Sequence, residues 1–194
     1  MRQLPCASSF ETPWEFATLD LASHHPSIAA AACACAALHR ILTEGPDENQ
    51  DQFALQQYNK SSAFMRQYIA DLSDNVPESA VTVVLATCLL FFTYETFSGE
   101  DTKASLHLNI GLRIIHERLR PRGRVQVSDG RHLVVVDNDP KSVFHVLVQT
   151  FICLDADYML LGHDDPYVDL LPHADCASDA LTASYDLYVK AQFP

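Results

Sequence analysis

Apolar positions along this 194-residue chain recur with helical spacing in six successive segments. In the first, Ile28, Ala31, Cys35, Leu38 and Leu42 follow the i, i+3, i+4, i+7 rule that places side chains on one face, and Pro26-Ser27 opens it. That face is built of small residues, so a neighbouring helix comes close, and Gly45-Pro46 ends it. Ala54, Tyr58, Ser61, Met65, Tyr68 and Leu72 carry a long second helix. Asn75 to Pro77 separates it from a third, through Val81, Leu85, Cys88, Leu89, Phe92 and Tyr94, which is apolar nearly all round. The 16 uncharged residues from Ser79 to Tyr94 fall short of the roughly 20 a membrane span needs. They read as a central helix surrounded by others.

Ser98-Gly99 is a short break before a fourth helix with Ala104, Leu108, Gly111, Leu112, Ile115 and Leu119 on its stripe. Beyond Pro121 the period changes. Val125 to Val127 and Leu133 to Val136 flank Ser128-Asp129-Gly130, the pattern of two strands around an Asp-Gly turn. A fifth helix is expected from Asp139-Pro140, with Asp139 as N-cap, through Val143, Leu147, Phe151, Leu154, Tyr158 and Leu161 to Gly162. His163 to Cys176, with Pro166 and Pro172, reads as an extended loop, and Ser178 to Gln192 as a last helix. Short breaks between helices enforce antiparallel neighbours. The expected fold class is therefore all-α, an antiparallel multi-helix bundle or array with a small β-hairpin near 125–136. Residues 1–194 are expected to form a single helical module, part of a larger helical domain, with 120–139 an insertion or loop.

Composition supports a packed core: 48% of residues are apolar and 20% charged, well away from a disordered chain. The net charge of −12 opposes nucleic-acid binding, which depends on Lys and Arg displacing counterions from phosphates. The charge is uneven, however. Lys103, Arg113, Arg118, Arg120, Arg122, Arg124 and Arg131 against Glu117 and Asp129 give +5 in one segment and leave −17 elsewhere. That segment reads as a solvated helix end with Arg near the C-terminal dipole. Cysteines 6, 33, 35, 88, 153 and 176 include no Cys-x-x-Cys pair, so they read as small buried hydrophobes in a reducing compartment. The N-terminus lacks the apolar run of a signal peptide.

Nine histidines raise the question of chemistry. The stretch His163 to Cys176 contains His163, Asp164, Asp165, Asp169, His173 and Asp175, from which two His and a carboxylate could hold zinc in a small helical hydrolase. No helical His-x-x-x-His or Glu-x-x-His spacing fixes their geometry, so exposed-loop polarity is the preferred reading. His24-His25 precede a helix start and read as turn and capping residues. His39, His107, His116 and His145 read as half-buried, hydrogen-bonded helix residues. Glu95, Glu100 and Asp101 read as caps of the following helix rather than paired catalytic carboxylates. Phe91, Phe92, Tyr94 and Phe97 read as core rather than as a ligand box. No phosphate-binding glycine loop or nucleophile elbow is present. No catalytic, cofactor-binding or metal-ligating residue is assigned, and the chain is expected not to be an enzyme.

Six stretches in order resemble one known family: His25-Pro26-Ser27-Ile28 leading to Ala36-Ala37-Leu38-His39, Phe53 to Lys60, Leu85 to Phe92, His107 to Ile115, Phe151 to Asp155, and Leu161-Gly162. Over roughly residues 14 to 185 the chain resembles the regulatory region of fungal zinc-cluster transcription regulators, those with a six-cysteine binuclear zinc cluster. The resemblance implies an all-helical fold, a nuclear location in a fungus, with the cytoplasm as the alternative, and control of a gene set, often of metabolic or secondary-metabolism genes; the expected mode of action is protein–protein interaction. The DNA-binding cluster has no counterpart among these cysteines, so direct sequence-specific DNA binding by this chain is not expected. The implied partners are a second copy, as a homo-oligomer, or other regulator subunits, with a small-molecule effector between helices; no membrane and no cofactor are expected. The apolar stripe of the last helix, Leu181, Tyr185, Tyr188 and Val189, is the expected surface for self-association.

Overall fold

A computed structural model describes residues 18–73, 75–120, 124–128, 131–136, 142–160 and 170–172, with backbone alone for the strands and for 159–160. The fold class is all-α. Helix α1 spans residues 18–24, α2 Pro26–Glu44, α3 Glu48–Ala70, α4 Glu78–Phe97, α5 Asp101–Leu119 and α6 Val143–Leu160. Three short strands accompany them: β1 Arg124–Ser128, β2 Arg131–Val136 and β3 Leu170–Pro172. The chain divides into two compact units, Thr12–Gly111 and a second made of Met1–Glu11 with Leu112–Pro194, the division falling within α5.

In the first unit α4 is the centre. Fourteen of its residues are buried, from Ala80 to Glu95, because a helix apolar on every side loses contact with water only when others surround it. Its buried hydroxyls are satisfied along the helix itself: Thr82 donates to the Glu78 carbonyl at 2.8 Å and Thr87 to that of Val83 at 2.9 Å. Helix α2 lies against α4 and α3 through Ile28, Ala30, Ala31, Ala34, Cys35 and Leu38. The small side chains bring backbones within reach of side-chain donors. Ser61 of α3 donates to the Ser27 carbonyl at 2.7 Å, and the Cys35 thiol to the Leu90 carbonyl at 3.2 Å.

Helix ends follow local chemistry. Pro26 occupies the first turn of α2, and the Asp47 carboxyl accepts from the Asn49 amide at 2.9 Å at the start of α3. Gly45 and Gly99 hold φ of +108° and +74°, left-handed conformations that L side chains adopt only with strain. These glycines make possible the turns after α2 and α4.

Several expectations need correction. Leu42 closes the predicted α2 stripe but is 54% exposed, since it lies in the last turn, beyond the contact with the other helices. Helix α1 is absent from the sequence reading, being too short to display a period. On α6 the buried apolar residues are Phe144, Leu147, Val148, Phe151 and Ile152, a face turned by about one position from the predicted Val143, Leu147, Phe151 and Leu154 stripe. The hairpin is present, antiparallel with Ser128 opposite Arg131, yet β3 adds a parallel partner, Leu170 opposite Val134, where a loop was expected. The Asp129-Gly130 turn, the Asp139-Pro140 start, the Gly162 end and the Ser178 to Gln192 helix lie outside the described residues.

By length and composition α2 and α4 could each cross a membrane, but most of α4 is buried inside the unit, as the core helix of a globular bundle is.

Candidate functional site

The most elaborate set of polar contacts among the described side chains sits on α3, α4 and α5. Tyr58 of α3 donates its hydroxyl proton to Glu95 Oε1 on α4 at 2.6 Å, and its oxygen lies 3.4 Å from His107 Nε2 on α5. Because Tyr58 has one proton and gives it to Glu95, the Nε2 contact requires His107 to carry its proton there and donate it. The chain of donation runs from His107 through Tyr58 to Glu95.

Aromatic rings enclose this relay. The Tyr58 ring stacks on Tyr94 at 4.5 Å and lies 4.7 Å from Phe91, which in turn is 5.2 Å from the His107 ring. Glu95 is only 4% exposed, and burying a carboxyl is costly without such a donor. Burial, then the Glu95 hydrogen bond, push the Tyr58 hydroxyl well above its usual range; burial and the Glu95 charge raise Tyr94. Burial lowers His107, and the opposing pull of Glu95 is smaller. The cluster is a packed polar joint.

The residues singled out in the sequence distribute differently from expectation. Glu95 is not a cap through its side chain; only its carbonyl serves the turn, accepting from the Glu100 amide at 2.9 Å. Glu100 does start α5, its carbonyl accepting from Lys103 and Ala104 amides at 3.0 Å. Phe91, Phe92 and Tyr94 are buried, as core residues are, and Phe97 is partly covered, its ring 6.1 Å from that of His39. His39 itself is exposed rather than half-buried. His25 stands at the N-cap of α2 without a side-chain capping bond and meets the Tyr68 ring edge-on at 5.9 Å instead. Burial and neighbouring His24 lower its pKa. His145 touches the Ser142 hydroxyl at 2.8 Å.

Cysteines divide by environment. Cys35 and Cys88 are buried and their thiols are pushed up to about 12 by that burial, so they carry no thiolate chemistry, whereas Cys33 is exposed, contrary to the buried reading. On α6, burial raises Asp155 to about 6. Among the described residues no three His, Cys, Asp or Glu side chains gather as a metal would require. The His163 to His173 loop and the Leu181 to Val189 stripe lie outside the described residues, apart from the Leu170–Pro172 backbone.

The Tyr58–Glu95 pairing escaped the sequence reading. Its signal was present: a carboxyl inside the last turns of an apolar helix, and a tyrosine on a predicted buried stripe, each needing a partner.

The fold is all-helical, and its most connected polar side chains among the described residues, Tyr58, Glu95 and His107, turn inward to meet one another. The family model described as "Fungal specific transcription factor domain" matches residues 2–175, and the chain belongs to that family. No curated protein and no solved structure matches it.

Proposed function

We propose that this chain is a non-catalytic regulatory and interaction module of a fungal transcription regulator of the zinc-cluster type, working in the nucleus through protein association. The observation that carries the reading is the family match over residues 2–175. The packed helical unit is consistent with it: the described buried polar side chains bond to backbone carbonyls, as Ser61 and Thr87 do, or to each other, as Tyr58 and Glu95 do. The occupants of its outer surface are a second copy of the chain or other regulator subunits, with a small-molecule effector as a further input. Control of metabolic or secondary-metabolism genes is the corresponding output. At a net charge of −12, sequence-specific DNA recognition falls to another part of the regulator.

Fusion of the chain to an unrelated DNA-binding domain in a fungal reporter strain tests this. The fusion is expected to raise or lower reporter output relative to the bare DNA-binding domain at equal protein level. Equal output from both would overturn the proposal.

A further inference from the structure

The polar joint has a consequence that goes beyond transcription. His107 already commits Nε2–H to the Tyr58 oxygen, which in turn commits its own proton to Glu95. A second proton on the ring must therefore go to Nδ1, for which no acceptor is recorded among the described residues. The ring that would carry this charge is half-buried, 5.2 Å from Phe91. A cation placed there meets apolar surface on one side and a single carboxyl beyond the tyrosine on the other.

We infer that the Tyr58–Glu95–His107 joint is a pH-sensitive latch, in which protonation of His107 releases α5 from its contacts with α3 and α4. Among the described residues the titratable groups around the ring are few. Tyr58 faces it from α3 and Glu95 from α4; Tyr94 of α4 lies behind Tyr58, with Asp51 of α3 and Cys35 of α2 acting on Tyr94. On α5 itself Lys103, one turn earlier, is tied to Glu100 at 3.3 Å. Among the described residues Glu95 is the carboxyl acting on the imidazole, and burial outweighs it.

The direction of the effect follows from proton counting. The unfolded chain protonates His107 near the ordinary value of 6.5, the folded chain only at lower pH. Between those two values the unfolded state binds more protons, so stability rises with pH and falls on acidification. The ring escapes the penalty by swinging to water, which leaves Tyr58 held by Glu95 alone. The latch is a property of this fold and stands whether or not the chain regulates transcription.

Urea unfolding of the full chain at several pH values between about 8 and about 5.5 tests it, with His107→Gln as the comparison because Gln keeps an N–H donor and cannot titrate. The wild-type midpoint is expected to fall on acidification relative to that of His107→Gln, which keeps the shared contributions of His25 and, with opposite sign, of Asp155. Equal acid-side losses in both proteins would overturn the latch. Should His107→Gln fail to fold, histidine resonances of the wild type decide. A His107 ring titrating below 6.5, with the Tyr58 ring signals moving in step, supports the latch; a ring titrating at or above that value, or a silent Tyr58, refutes it.

Discussion

Among the described residues, the unit from Thr12 to Gly111 is built of helices alone, whereas the unit beginning at Leu112 combines helix with a three-stranded sheet. In the first, side chains on separate helices bond across the contacts: Ser61 to Ser27, Cys35 to Leu90, Tyr58 to Glu95. In the second, backbone pairing joins the strands, β1 to β2 antiparallel and β2 to β3 parallel, and on α6 Thr150 donates to the Val146 carbonyl at 2.9 Å. The buried titrating groups also point opposite ways. Burial lowers the imidazole of His107 and raises the carboxyl of Asp155. One solvent effect therefore gives two opposite dependences on pH.

The largest expected effects come from the apolar centres of the two units. Leu85 and Phe151 are both fully buried, so Leu85→Ala should cost about 2–5 kcal/mol and Phe151→Ala about 3–5 kcal/mol, measured by urea unfolding. A cost under about 1 kcal/mol at either would mean that its surroundings collapse freely onto the gap. Next in size is Ala34→Leu, at a position with no exposed surface on the small-residue face of α2. Overpacking there should cost about 1–3 kcal/mol, and a neutral result would show that α2 does not approach its neighbours closely.

A smaller effect is expected at Ser61→Ala. It leaves the Ser27 carbonyl, accepting at 2.7 Å, without that donor, at a cost of about 1 kcal/mol by the same unfolding assay.

The pH comparison can be sharpened on the other side. Asp155 takes its proton at about 6 in the folded chain against 3.8 when unfolded. Between these values the folded state holds more protons, so this group makes stability fall as pH rises, and the penalty is complete above about 6. Asp155→Asn should remove that slope and raise stability at neutral pH while leaving the His107 dependence unchanged. Loss of stability at neutral pH in this variant would mean that the Asp155 carboxyl has a favourable partner.

Helical periodicity made most of this fold legible in advance. The α4 stripe and the Ala104, Leu108, Leu112, Ile115 stripe are buried as expected, because in a helix the core face is written in local spacing. What escaped depends on pairing at long range. Leu170–Pro172 carries no strand signal of its own and becomes a strand only beside Val134–Val136. Glu95 was legible as an anomaly in an apolar helix, but its partner 37 residues earlier was not. The shift of about one position on α6 has a similar origin: Asp155 and Asp157 interrupt the apolar pattern, so Val143 and Phe144 compete for the inner face until packing decides.

The account rests on one contact, the hydrogen bond by which Tyr58 joins α3 to Glu95 of α4. A double-mutant cycle with Tyr58→Phe and Glu95→Leu measures it directly by unfolding free energies. A coupling of about 1–3 kcal/mol between the two sites is expected, since each single change strands the other's polar group. Effects that add to within about 0.5 kcal/mol would mean that the two groups do not meet, and would contradict the joint on which the latch depends.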